Sequence, residues 1–457
     1  MDLAFAGLDQ HAELMQQGQT TSQELTELFL GRIDRHDPAL NAYRVVFAER
    51  ARAEAAQADA RRRSGDRRPL LGIPVAIKDD TDIAGEVTAL GTGAAGGPAG
   101  ADSEVVRRIR QAGAVILGKT NVPELTITPF TESPTWGLTR NPWDLQRTSG
   151  GSSGGSATAV AAGLASAALG SDGAGSIRIP AACCGLFGLK PQRGRVPAAP
   201  RVEPWHGLSV WGPITRRVAD SARFYDAIRD GGESFAEAAA REPGRLRIAV
   251  SRKVPPGVPA RPDAEQLGAV EGTADLLRGL GHEVIERELD FGSVWPNMVA
   301  RYLRGIHDEG GALPYPDRLA RRTRGYVRLG GLIPAAALAR ARAQEAADAA
   351  RINRVFEESV DVVLTPMFTR RPPKVLEYEG RSAFWTVNGT ARFVPYPGVF
   401  NHTGQPAAAV PSGFTGDGFP LAVQLVGPPE GEGVLLSLAA QLERERDWPA
   451  HRPAMAT

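Results

Sequence analysis

Ser176 ends the run Asp172-Gly-Ala-Gly-Ser176 and is followed by Ile-Arg-Ile-Pro-Ala-Ala, which can start a helix. Small residues ahead of a helix N-terminus let backbone N–H groups converge on one point. Such a nest stabilises a developing oxyanion, and a serine at its end is placed to attack a carbonyl carbon. A Gly-rich turn with a helix-capping serine has the same local pattern, so this segment alone leaves both readings open.

A serine hydroxyl needs a base. None of the seven histidines (His11, His36, His206, His282, His307, His402 and His451) lies in a recognisable catalytic motif, although a distant one could fold into place. The alternative is lysine. Only five occur in this Arg-rich chain, at Lys78, Lys119, Lys190, Lys253 and Lys374. A neutral lysine accepts a proton and arginine does not. Lys78 follows Ile73-Pro-Val-Ala-Ile77, a short apolar run that reads as a buried strand, and burial at a strand end lowers a lysine pKa. An ion pair with Asp79 or Asp80 is the competing reading. Ser152, in Gly150-Gly-Ser-Ser-Gly-Gly-Ser156, supplies a hydroxyl that can donate and accept at once, and so relay a proton. The surrounding glycines allow unusual backbone, including a cis peptide, that would aim this hydroxyl inward.

These side chains need a scaffold. Residues 1–64 read as a helical arm: Thr21-Ser-Gln-Glu24 fits a capping box, Leu25, Leu28, Phe29 and Ile33 follow at helical spacing, and 45–63 reads as an exposed helix. From 65 onward the texture becomes α/β. Strands are expected at 73–77, 114–117, 246–250, 282–285, 362–365, 407–410 and 421–426. Helices are expected at 103–112, 156–164 and 334–357. The Gly/Ser run at 149–156 has a linker composition, but its flanks are apolar and belong inside a domain. No repeat or interdomain linker is visible in the 457 residues, so one large domain carries the arm, with motifs in 70–220 and a variable region at 230–397.

The net charge of +1 gives no electrostatic case for nucleic acid or an anionic membrane. Cys183 and Cys184 are adjacent and cannot build a disulfide scaffold. With no signal-peptide pattern and no apolar run of about 18 residues, a reduced cytoplasmic protein is expected. Gly113-Ala-Val-Ile-Leu-Gly-Lys-Thr120 matches a phosphate-binding loop by letter, but its middle residues are themselves a strand. Gly150 to Gly155 fits the G-x-S-x-G elbow twice, yet no strand is expected before it. Cys183 and Cys184 read as small packing residues.

Taken together the segments resemble the amidase signature family. The resemblance rests on Gly72-Ile-Pro-Val-Ala-Ile-Lys-Asp79, Gly118-Lys-Thr-Asn-Val-Pro-Glu124, Thr139-Arg-Asn-Pro-Trp143, Gly150 to Ser156, Ser171-Asp-Gly-Ala-Gly-Ser-Ile-Arg-Ile-Pro-Ala181 and Cys184 to Pro191. Weaker similarity runs through Gly212 to Arg216 and Phe400-Asn-His-Thr-Gly-Gln-Pro406. The resemblance implies a large mixed, mainly parallel sheet covered by helices, without metal or cofactor. It implies Ser176 as nucleophile, Ser152 as a cis-serine relay and Lys78 as base, in an enzyme that hydrolyses small amides, esters or carbamates. The N–H groups of Gly173, Ala174, Gly175 and Ser176 would form the oxyanion hole. Ser153 would bond Lys78, while Asp172 and Arg178 would brace the loop. Leu125 to Pro129 would border the acyl site, with Thr126 and Ile127 closest, and parts of 130–137, 290–310 and 366–397 would complete the wall. The aromatics Tyr378, Phe384, Trp385, Phe393 and Tyr396 read equally as an aryl-tolerant pocket or as core. Alternatives within the resemblance are a glutaminase subunit of a tRNA-dependent amidotransferase, which needs partner subunits, and an aminohexanoate-oligomer hydrolase. The 171–180 segment looks more like the latter. A homodimer is one open oligomeric state.

Overall fold

In the computed structural model, which describes residues 2–456, eleven strands form one sheet. In chain order they are β1 (Tyr43–Val46), β2 (Pro74–Lys78), β3 (Val115–Thr120), β4 (Ala167–Asp172), β5 (Phe187–Lys190), β6 (Val210–Thr215), β7 (Arg247–Val250), β8 (Glu283–Glu286), β9 (Val362–Pro366), β10 (Ala407–Phe414) and β11 (Pro420–Val426). Their order across the sheet is β1-β3-β2-β4-β6-β5-β10-β11-β9-β7-β8.

The sheet is mixed, but the expectation of a mainly parallel sheet is corrected. Four of the ten neighbouring pairs are parallel and six antiparallel. Parallel pairing is confined to β3-β2-β4 and β9-β7-β8, with antiparallel strands between them.

Side chains alternate across each strand and feed two cores. Val75, Ile77, Ile116 and Leu169 pack on one face, and Ala76, Val115, Leu117 and Ala168 on the other. The second face takes the small-residue helix Gly154–Ala161, whose every residue is buried. A Cβ on Gly155 would stand 2.5 Å from both Ala42 O and Asn121 N, so only glycine lets this helix approach. That contact explains the Gly/Ser run as a packed element.

The capping box at Thr21 and Glu24 is present on helix Ser22–Leu40. The helical arm differs from expectation. Residues 43–46 form the sheet-edge strand β1, paired to β3, and the following helix is Ala48–Arg63. Phe29, Leu30 and Ile33 share a core with β3 and the 154–161 helix. The helix expected at 334–357 is two, Ala335–Ala343 and Glu345–Glu357, meeting at Gln344. A strand, Asp144–Thr148, does precede the Gly/Ser run, but it lies in a two-stranded ribbon with Arg140–Asn141, outside the main sheet.

Candidate active site

β2 and β4 are parallel neighbours, and both end at the same edge of the sheet. Their C-terminal ends present Lys78 and Ser171-Asp172, beside the point where β4 meets the antiparallel β6. Ligand sites in α/β sheets favour this edge, where the connections diverge.

Lys78 is fully buried. Its Nζ lies 2.8 Å from Ser152 Oγ, 2.7 Å from Ser171 Oγ, 3.3 Å from Ser171 O and 3.3 Å from Asp80 Oδ2. Ser171 Oγ donates to Asp80 Oδ2 at 2.5 Å. Burial pushes the Lys78 pKa down, and the Asp80 charge opposes that without cancelling it. For Asp80, burial acts to raise the pKa, but Lys78 and the Ser171 hydroxyl outweigh it and hold the carboxyl below its usual range. The Gly151–Ser152 peptide is cis.

Ser153 does not bond Lys78, which corrects that expectation. Its hydroxyl turns to β4, donating to Ser171 O at 3.2 Å. Lys78 is held by Ser171 and Asp80 instead. The sequence offers Asp80 as a partner for Lys78 but assigns Ser171 no such role. Its signal was its place next to Asp172, at the start of the motif that ends in Ser176.

The loop from Asp172 to Arg178 is pinned from inside. Asp172 accepts from Gly175 N (2.6 Å), Ile177 N (3.2 Å), Arg178 Nε (3.0 Å) and Asn401 Nδ2 (2.8 Å). Arg178 also donates to Gln424 Oε1 and Asn401 Oδ1. Burial would raise the Asp172 pKa, but Arg178 and these donors dominate and bring it to about 2. Asn401 and Gln424 escaped sequence reasoning, although Asn401 sits in the weaker motif Phe400 to Pro406.

The same bonds revise the proposed oxyanion hole. The Gly175 N–H is spent on Asp172, so it is removed from the donor set. The N–H groups of Gly173, Ala174 and Ser176 have no partner among the described residues. Gly175 has φ +117°, and a Cβ there would meet Pro397 at 2.7 Å, which fixes glycine at this turn.

Ser176 is half-buried, and its hydroxyl makes no hydrogen bond among the described residues. It lies on the boundary of two cavities. The larger, about 670 Å³, is lined by Ile127, Ile179, Trp295, Met298, Val299, Tyr326, Val387 and Val394. The smaller, about 420 Å³, is lined by Asp80, Thr126, Ser152, Ser171, Arg201, Trp205, Ser209 and Glu309. Ala174, Ser176 and Tyr302 belong to both. Thr126 and Ile127 thus face different cavities. None of the seven histidines lines either one.

Of the expected wall segments, 290–310 and 366–397 reach the larger cavity, through other side chains than the aromatics singled out, whereas 130–137 lines neither cavity. Phe393 stacks on Phe368, Tyr378 stacks on Phe130, and Tyr396 donates to Arg252 O, so these three are core. Phe384 and Trp385 are exposed. Cys183 and Cys184 are buried, with burial pushing both thiols up, as packing residues should be. Among the described residues no cluster of three or more His, Cys, Asp or Glu could hold a metal, and no helix is long and apolar enough to cross a membrane.

Residues 24–436 match the Amidase family. The chain is 53% identical over its full length to 99% of a Mycobacterium tuberculosis protein named "Putative amidase AmiB2". It is 34% identical, over 97% of this chain and 95% of the other, to 6-aminohexanoate-cyclic-dimer hydrolase of Paenarthrobacter ureafaciens. The solved structure of a 6-aminohexanoate cyclic dimer hydrolase complexed with substrate superposes with a TM-score of 0.91 at 31% identity, covering all of both chains. The chain therefore belongs to the amidase signature family and is a hydrolase of carbon–nitrogen bonds.

Proposed function

We infer that Ser176 attacks the carbonyl of a small amide whose acyl group occupies the larger, apolar cavity. The observation that carries this is the position of Ser176 at the junction of two cavities, one of which also contains Ser152 on Lys78. As Ser176 Oγ bonds the carbonyl carbon, its proton passes to Ser152 Oγ, whose own proton passes to the free-base Lys78 Nζ. The carbonyl electron pair moves to oxygen, where the Gly173, Ala174 and Ser176 N–H groups would receive it. Collapse breaks the C–N bond, and the proton returns through Ser152 to the leaving nitrogen. Water then repeats the path on the acyl-enzyme.

A free-base Lys78 has two protons and one lone pair. Ser171 Oγ and Ser171 O can take the protons, which leaves the lone pair aimed at Ser152. Ser171 and Asp80 are thereby positioning residues for the base. Residues 65–457 are read as the catalytic domain, with 1–64 contributing its first sheet edge.

A second reading is a hydrolase of the 6-aminohexanoate cyclic dimer, which the name and likeness of the Paenarthrobacter relative support. A panel of apolar-acyl anilides, primary amides, esters, carbamates and this cyclic dimer separates the two. Turnover of apolar-acyl anilides that disappears in Ser176→Ala supports the first reading; turnover of the cyclic dimer alone supports the second. Undiminished turnover in Ser176→Ala overturns both.

A further inference from the structure

The smaller cavity contains spare hydrogen-bonding capacity of one kind. Its carboxylates are engaged. Asp80 takes Ser171 Oγ on Oδ2 and Thr81 Oγ1 on Oδ1. Glu309 takes Arg201 Nη1 on Oε1 at 2.9 Å and Trp205 Nε1 on Oε2 at 2.8 Å. Arg201 is different. Only its Nη1 is used; Nε and Nη2 have no partner among the described residues, and the side chain keeps 32% of its surface exposed. Glu309 and Trp205 thus steady one arm of the guanidinium and leave the rest to the cavity.

Which half of a substrate meets Arg201 follows from the proton path. The leaving nitrogen must receive its proton from Ser152, and Ser152 lines the smaller cavity but not the larger. The amine half therefore faces Arg201. We propose that Arg201 is a specificity-determining residue that binds a carboxylate carried on the amine half of the substrate. A planar guanidinium with free N–H groups matches a carboxylate in shape and charge. A cationic amine would meet no free carboxylate there and would be repelled by Arg201. This rests on Ser176 as nucleophile and narrows its substrates to amides whose amine half bears an acidic group.

Calorimetric titration of the intact protein with 4-aminobenzoate and with aniline tests the site without needing turnover. Wild type is expected to bind 4-aminobenzoate about tenfold or more tightly than aniline, the scale of a charge-assisted hydrogen bond. Arg201→Gln is expected to bring the ratio near one, and Arg201→Lys to restore part of it. In wild type, 4-aminobenzamide, which has the same shape without the charge, is expected to bind no better than aniline, and this comparison serves should Arg201→Gln fold poorly. Equal affinities in wild type, an unchanged ratio in Arg201→Gln, or 4-aminobenzamide binding as tightly as 4-aminobenzoate overturns the proposal. A kinetic pair, an anilide and its 4-carboxyanilide with the same acyl group, should show the preference in KM more than in kcat. Discrimination in binding without Ser176-dependent turnover would leave the Arg201 site and break the nucleophile reading. Turnover without discrimination would do the reverse.

Discussion

Two lysines stand on neighbouring strands of one sheet, both fully buried, in different company. Lys119 on β3 has an ion pair of 2.9 Å with Asp79 and donates to Val87 O and Thr88 Oγ1. Asp79 is itself clamped on its other oxygen by Arg44 at 2.6 Å. Lys78 on β2 lies farther from its carboxylate, 3.3 Å from Asp80, and its two closest neighbours are hydroxyls. Burial lowers both lysine pKa values. What separates the two is access: a hydroxyl touching Lys78 opens into a cavity beside Ser176, whereas Lys119 lines neither cavity there. Burial alone does not make a base. A base also needs an acceptor site that leads to the reacting atoms.

Substitutions at the two lysines should therefore diverge. Lys78→Met is expected to lower kcat about 10²–10⁴-fold, the range for loss of a general base, in steady-state assays at neutral pH. Ser152→Ala should fall in the lower part of that range, since the relay is cut while the base remains. Lys119→Met should do the opposite. It leaves Asp79 with Arg44 and the Ala89 N–H and should cost about 3 kcal/mol of stability in denaturant unfolding, as breaking a buried pair does, with kcat within about threefold. Loss of kcat at Lys119 equal to that at Lys78 would erase the contrast.

The smallest expected effect is a displaced pH profile. The mechanism needs free-base Lys78, so kcat/KM should rise with pH through the Lys78 pKa and be lost as pH falls below it. Asp80 opposes the lowering of that pKa. Asp80→Asn removes the opposition, and the acid limb of kcat/KM should move to lower pH. Movement to higher pH would mean that Asp80 does not act through Lys78.

The same contrast marks what the sequence disclosed. Lys78, Ser152 and Ser176 stood in legible motifs, and Lys119 was excluded from phosphate binding because Ala-Val-Ile-Leu reads as strand, which β3 is. Partner choice was less legible. Ser153 and Ser171 are both serines close to the site, and only the strand geometry sends one to β4 and the other to Lys78. Counting amides at 173–176 did not reveal that Asp172 takes one of them. Strand direction was also beyond reach, because alternation marks a strand without saying which way its neighbour runs. Arg201 and Glu309 are 108 positions apart and share no motif.

The central claim is that the acyl group passes through Ser176. Rapid acid quench during turnover of an ester or anilide substrate, followed by peptide mass spectrometry, tests it most directly. The account predicts the acyl mass on the peptide bearing Ser176, formed far more slowly in Lys78→Met and at the wild-type rate in Lys119→Met. An acyl group mapped to any other residue, or formed equally fast without Lys78, would contradict it.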